Sequence, residues 1–162
     1  MDRYIGTKII QAKEMDAATA GIELDRSINT ENSPAGEGYL VEYPDGYRSW
    51  SPKKAFEDAY RKCTDMTFGL AIEAAKKGHK IARRGWNGKN MFIVYMEPLF
   101  LPPFNTQGTA RKVNDRTARF IGADKPLDCQ PYFAMYNAKE QWIPGWLASQ
   151  TDMLSEDWFV VE

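Results

Sequence analysis

The chain has 162 residues, of which 43% are apolar, 13% aromatic and 27% charged, a composition that fits one globular domain or two small ones. Its formal net charge is −1, so it has no general nucleic-acid footprint. No run approaches the ~18–20 apolar residues of a membrane helix, and the opening MDRYIGTKII lacks the apolar stretch of a signal peptide.

The alternation of Tyr4, Gly6, Lys8 and Ile10, with Ile5 and Ile9, predicts a first strand within Tyr4–Met15. Residues 25–38 are polar and rich in turn formers, and read as a loop. Gly38–Trp50 then holds two aromatic, β-prone runs around Pro44-Asp45-Gly46. Proline presets φ and glycine accepts positive φ, which predicts a hairpin. Ser51 as N-cap and Pro52 at the first helical position predict a short helix through Lys62. Its apolar face would be Ala55, Phe56 and Ala59.

Cys63-Thr64-Asp65 reads as a connector, which places a domain boundary between 1–65 and 66–162. Thr67 is the expected N-cap of a helix from Phe68 to Lys77, and Gly78 its stop. Phe68, Ala71, Ile72 and Ala75 fall at i, i+3, i+4 and i+7, the spacing of one buried stripe. Lys80–Arg84 and Met91–Met96 read as strands, joined at Asn87-Gly88 by a tight hairpin turn. Pro98, Pro102 and Pro103 break any helix in the following segment. Within it, Lys112–Ile121 reads as a short helix or an ordered loop. Tyr132–Tyr136 is a strand, Asn137–Glu140 a turn and Gln141–Ile143 the returning strand. Pro144-Gly145 turns the chain again. Ser149-Gln-Thr-Asp152 has the form that begins a helix, and Trp158–Val161 closes the chain as a strand. The fold class is therefore α+β: a small antiparallel sheet with a packed helix, preceded by a small hairpin and helix unit.

The charge is unevenly placed. Residues 1–65 carry 9 Lys/Arg and 12 Asp/Glu; residues 66–162 carry 12 and 10. Six cations and no acid lie between Lys76 and Lys89, a local patch that can hold a small anion. Cys63 and Cys129 have no metal-ligand spacing and His79 is the only histidine, so neither a zinc site nor a histidine-based triad is expected. Two isolated cysteines fit a reducing cytosol, with both thiols free. The phosphate-loop, dinucleotide, nucleophile-elbow and zinc-protease motifs are all missing from the sequence. Glu156 and Asp157 are adjacent, and adjacent side chains do not point together.

Two clusters carry potential binding chemistry. Arg83-Arg84-Gly85-Trp86-Asn87-Gly88-Lys89 joins cations, an aromatic plate and two glycines. Arginine grips phosphate through paired hydrogen bonds, glycine-rich turns aim N–H groups at anions, and tryptophan stacks on bases. The same residues also fit a tight hairpin whose tryptophan plugs the core and whose arginines are solvated. The second cluster runs from Trp142 to Asp152. Its helix start offers free N–H groups, with Ser149 and Gln150 beside them as donors or acceptors. Taken alone, this cluster is better accounted for as an ordinary capped helix with structural tryptophans.

Met66-Thr-Phe-Gly-Leu-Ala-Ile-Glu-Ala-Ala-Lys-Lys-Gly78, Ile81-Ala-Arg-Arg-Gly-Trp-Asn-Gly88 and Pro144-Gly-Trp-Leu-Ala-Ser-Gln-Thr-Asp-Met-Leu-Ser-Glu-Asp-Trp158 occur in that order. Together they resemble the Thoeris anti-defence type-two sponges of bacteriophages across Met66–Glu162. The resemblance implies a small α+β fold that forms homodimers or homotetramers in the host cytoplasm. It implies binding, without cleavage, of a cyclic ADP-ribose isomer such as glycocyclic ADP-ribose, and in some relatives of cyclic oligonucleotides at a separate site. It implies no catalytic residue, cofactor, DNA or membrane partner. Carried over by motif, Arg84, Trp86 and Asn87, next to Arg83, belong to the ligand pocket, with Trp146, Ser149, Gln150 and Asp152 as further members. Pro98–Gln130 matches no signature of the family and reads as an insertion. Residues 4–61 resemble a short module that precedes this domain in phage proteins, and read as accessory. Two other functions compete: a structural or interaction module of a phage protein with no small ligand, and a cyclic-nucleotide hydrolase.

Overall fold

A computed structural model describes residues 2–3, 5–31 and 33–162. Contacts divide the chain into two units, Met1–Met66 and Thr67–Glu162.

The N-terminal unit is a three-stranded antiparallel sheet in the order β1 (Gln11–Glu14), β2 (Gly38–Glu42), β3 (Arg48–Pro52). The expected hairpin is present, and Gly46 takes the positive φ (82°) that its turn requires. Gly38 is obligatory for a different reason. A Cβ there would stand 2.3 Å from the Ser51 carbonyl oxygen and 2.4 Å from the Trp50 ring. The first strand is shorter than expected. Gln11 already pairs with Glu42 at the end of β2. Beyond it the partner chain runs into the turn at Pro44, which has no N–H to donate, so residues 5–10 have no ladder to join. Tyr4 lies outside the described residues.

The sequence reading missed a helix, α1 (Ala17–Glu23), whose N-cap Asp16 accepts the Thr19 N–H at 2.9 Å. The helix α2 is confined to Lys53–Ala59 and is not capped by Ser51. Ser51 pairs with Tyr39 and Pro52 with Gly38 in the sheet, which holds both extended. Ala55 and Ala59 are exposed, leaving Phe56 as the contact residue of this helix. It stacks on Tyr39 at 4.1 Å and Tyr60 at 4.9 Å.

The C-terminal unit is built on a five-stranded antiparallel sheet. Its order is β10 (Trp158–Val161), β4 (Lys80–Arg83), β5 (Phe92–Met96), β8 (Tyr132–Tyr136), β9 (Trp142–Pro144). Register places Val160, Ile81, Ile93, Met135 and Ile143 in one row across all five strands. Helix α3 (Phe68–Lys76) packs on β4, β5 and β10. Its contact residues Ala71, Ala74 and Ala75 are buried, as are Ile81 and Ile93 beneath them. Small residues on the helix let it approach the branched ones on the sheet. The caps are as expected: Thr67 accepts the Leu70 N–H, and Gly78 has φ of 92°. Phe68 and Ile72 of the expected stripe are half-buried, and Ala74 takes their place in the core.

The β4–β5 connection is not the expected tight turn. Neither Asn87 nor Gly88 has positive φ; Asn90 does, at 56°. Only Ile81 and Ile93 form a ladder pair, so the strands separate early and residues 84–91 form a wide loop. Asn137–Glu140 is the tight turn instead. The Asn137 side chain accepts the Lys139 N–H at 2.9 Å and the Gln141 N–H at 3.0 Å.

The segment 97–131 has its own structure. Strands β6 (Leu99–Leu101) and β7 (Leu127–Cys129) pair antiparallel, and α4 (Asp115–Ile121) lies between them in sequence. Asn114 caps that helix by accepting the Thr117 N–H at 2.8 Å. Val113 is buried, with its N–H on the Pro102 carbonyl at 3.0 Å. Phe100 and Phe120 remain 62% and 87% exposed. No helix among the described residues is long and apolar enough to cross a membrane.

Candidate functional site

The end of β4, the loop after it, the short helix α5 (Gln150–Leu154) and the start of β10 converge on two carboxylates. Ser149 and Asp152 form the reciprocal cap that the sequence pattern implies. Ser149 Oγ donates to Asp152 Oδ2 at 2.7 Å and accepts the Asp152 N–H at 3.1 Å. The Ser149 N–H donates to the same carboxylate at 3.0 Å. The other Asp152 oxygen, Oδ1, accepts Arg83 Nη1 at 2.8 Å and Trp86 Nε1 at 3.0 Å. One carboxylate therefore caps a helix, holds a cation and fixes an indole.

Arg83 is shared. Its Nε donates to Asp157 Oδ1 at 2.8 Å, and its side chain is only 8% exposed. A buried guanidinium held between two carboxylates is a structural cation, so Arg83 is not presented as a phosphate fork. Asp157 also accepts the Gly85 N–H at 2.8 Å. The adjacent-carboxylate pattern concealed this residue, because its partners lie more than 70 positions away.

Above this network sit four aromatic rings. Trp158 is fully buried, with its Nε1–H on the Asp152 carbonyl at 2.9 Å. Half-buried Trp86 and Trp146 meet it edge-on at 5.4 and 6.3 Å and each other at 6.2 Å, and Phe68 completes the cluster. Trp86 and Trp146 are only half-buried, so part of each indole is accessible to a further planar group. Arg84 is exposed and lies over the Phe159 ring at 5.8 Å, while Asn87 and Gln150 are exposed. Of the expected residues, Arg83, Trp86, Trp146, Ser149 and Asp152 are thus brought together, and Arg84, Asn87 and Gln150 lie at the surface. Asp157, Trp158, Phe68 and Gly85 join them unexpectedly. A separate cleft of about 590 Å³ in the N-terminal unit, between α1 and residues 25–30, is lined by none of these residues.

Burial pushes the Asp152 carboxyl up, but hydrogen bonds from Ser149, Trp86 and Arg83 outweigh it and hold the pKa at about 2. The Arg83 guanidinium, and then the Gly85 N–H, lower Asp157 against the opposing effect of burial. Carboxylates held below their ordinary range are poor proton carriers near neutral pH. His79 is exposed. Among the described residues no group of three or more His, Cys, Asp or Glu could hold a metal ion.

The depressed carboxyl predicts acid sensitivity. Its folded pKa lies below its ordinary value of 3.8, so the stabilisation is complete above that pH and is lost as pH falls toward 2. The shift corresponds to about 2 kcal/mol. Denaturant titrations at pH 7, 4 and 3 should show the C-terminal unit weakening below pH 4, and Asp152→Asn should flatten that dependence. Equal slopes in both proteins would remove Asp152 as the cause.

The three motifs that build this site lie within the span matched by a family model. That model, described as Tad2-like, a Thoeris anti-defense 2-like domain, covers residues 66–161. The chain belongs to this family. A relative from Bacillus phage SP01, named Thoeris anti-defense 2, is 36% identical over 98 residues, which is 60% of this chain and 97% of that protein. Membership places the chain among phage anti-defence proteins. Residues 98–130, read above as an insertion, lie within the span of the family match. Their hairpin and helix fall inside the bounds of the Thoeris anti-defense 2-like domain; without an unbroken hydrophobic period they carried no signature to read.

Proposed function

We propose that the Thoeris anti-defense 2-like domain is a sponge. It binds an intact cyclic ADP-ribose-type signal, glycocyclic ADP-ribose or a related cyclic nucleotide, and withholds it from host defence in the host cytoplasm. Cyclic oligonucleotides are a second ligand class for the same reading. The observation that carries it is the half-buried Trp86–Trp146 pair, with Trp86 locked to Asp152 inside a buried ion-pair network. Preorganised aromatic faces bind planar groups without a large ordering cost. In this reading Trp86 and Trp146 stack on the base. Arg84, Asn87 and Gln150 meet the polar groups of the ligand, while Arg83, Ser149 and Asp152 hold the rings in place.

A sponge must work at roughly nanomolar levels, about −12 kcal/mol. One stack contributes ~1–3 kcal/mol, and each charge-assisted hydrogen bond ~1.5–3, so a stack and several such bonds approach that figure. Closure of the pocket by a second subunit strengthens each contact by excluding water. Leu147, just before α5, and Leu154, its last residue, are 88% and 79% exposed and support self-association into a homodimer or homotetramer. The ionised state of Asp152 and Asp157 supports binding over hydrolysis.

Trp86→Ala should weaken binding of a cyclic ADP-ribose isomer by about tenfold or more, the worth of one stack. Calorimetry checks this, and unchanged affinity would remove Trp86 from the site. Ligand recovered intact by chromatography after heat denaturation of the complex separates sponge from hydrolase. Native mass spectrometry with a panel of cyclic nucleotides gives stoichiometry and subunit number together. The exposed Phe100 and Phe120 favour a second reading, an interaction module of a phage protein. Its mark is co-purification with virion proteins and no thermal shift with any cyclic nucleotide.

A further inference from the structure

We propose that Asp157 is a positioning residue that sets Trp86 in the tryptophan cluster by clamping the backbone ahead of it. As a statement about ligand affinity this rests on the sponge reading; as a statement about Trp86 it does not. Asp157 stands at the entry to β10, beside the end of β4. It reaches the loop at two points: the Arg83 guanidinium, at 2.8 Å from Nε and 3.4 Å from Nη2, and the Gly85 N–H, at 2.8 Å. The Arg84 N–H also meets the Asp157 backbone carbonyl, at 3.3 Å. Three consecutive residues before Trp86 are therefore tied to one residue of the neighbouring strand.

This clamp explains why the chain leaves the β4–β5 ladder so early. Asn87-Gly88 would close a tight hairpin if the ladder continued. The Asp157 carboxylate instead draws Gly85 toward β10, and the next residue, Trp86, is carried to Asp152 and the buried Trp158. Gly85 is fitted to this arrangement. A Cβ there would stand 2.9 Å from Asp157 Oδ2 and 3.0 Å from Arg83 Nη2. Any side chain at position 85 must push the carboxylate or the guanidinium out of place. The clamp is distinct from the cap at Asp152, which touches the indole itself. Asp157 acts through Arg83 and Gly85, while the Trp86 indole donates to Asp152.

The test uses the full chain and reads the tryptophans directly. Neighbouring indoles couple in circular dichroism, and acrylamide quenching reports their exposure. Asp157→Asn keeps an acceptor for Gly85 but presents an uncharged group to Arg83; Gly85→Ala displaces the carboxylate without removing it. Both should reduce the coupled tryptophan signal and raise quenching. The change should vanish in a Trp86→Phe background, because Trp86 is the ring that moves. With glycocyclic ADP-ribose as probe, Asp157→Asn should weaken binding about tenfold, the size of a coupling through one neighbour. An unchanged tryptophan signal in both variants overturns the proposal. So does a change that persists with Phe at position 86, since Asp157 would then be acting on another ring. If the unsubstituted protein binds no probe, the sponge reading fails, while the spectroscopic comparison still decides the role of Asp157. Should Asp157→Asn fail to fold, Gly85→Ala decides it alone.

Discussion

Asp152→Ala should destabilise the C-terminal unit by about 3–5 kcal/mol, the cost of removing one partner from a buried ion pair. Three losses act at once. The Arg83 guanidinium, 8% exposed, would lose Asp152 and be left to Asp157. The Trp86 Nε1–H would lose its acceptor. The reciprocal cap of α5 would open, a loss of ~1 kcal/mol in ordinary helices, which here overlaps with the others because a single side chain supplies all three. Asp152→Asn should fall between the two proteins: its amide oxygen can accept from Ser149 or Trp86, but it carries no charge for Arg83. Chemical denaturation followed by tryptophan fluorescence measures the difference. A loss below about 1 kcal/mol, the range of an exposed pair, would mean that Asp157 alone satisfies Arg83 and that the network is not central to this fold.

Trp158→Ala should have a comparable effect through packing, again about 3–5 kcal/mol. Trp158 is fully buried and in ring contact with Phe68, Trp86 and Trp146. Alanine would leave a cavity beneath the two half-buried indoles, and these would lose their floor. Trp158→Phe should retain much of the packing yet leave the Asp152 carbonyl without the indole N–H that it accepts at 2.9 Å, so a smaller loss is expected. Thermal unfolding should place the variants in the order wild type, phenylalanine, alanine. If alanine were as stable as wild type, the cluster would have collapsed to fill the gap, and the rigid platform inferred for ligand binding would not exist.

The local elements of the C-terminal unit were legible where their physics is local. Thr67 and Gly78 bound their helix because an N-cap hydroxyl and a glycine at positive φ act within one turn. Ser149 and Asp152 announced α5 by the same logic. Strands at Tyr132–Tyr136 and Trp158–Val161 followed from short β-prone runs between turn formers. Local signals failed where a distant partner overrode them. Ser51 is a good cap by composition, but the ladder to Tyr39 keeps it extended. Asn87-Gly88 is a good hairpin turn by composition, but Asp157 pulls the chain away first. The helix Ala17–Glu23 was not legible although Asp16 and Thr19 mark its start, because seven residues are too few to display an apolar period.

The same division runs through the candidate site. The motif Arg83–Lys89 by itself showed that cations, glycine and tryptophan share one loop, and left a ligand grip and a plugged hairpin as equal readings. Only the tertiary structure decided that Arg83 is enclosed by Asp152 and Asp157, that Trp86 reaches Asp152 rather than open solvent, and that Trp158 forms the floor. Composition and spacing determine which groups are available and which turns they favour. They do not determine which charge finds which partner across 69 or 74 residues. That pairing is selected by burial, since a guanidinium taken out of water requires carboxylates beside it; the β10–β4 register brings Asp157 there, and the capped helix α5 brings Asp152.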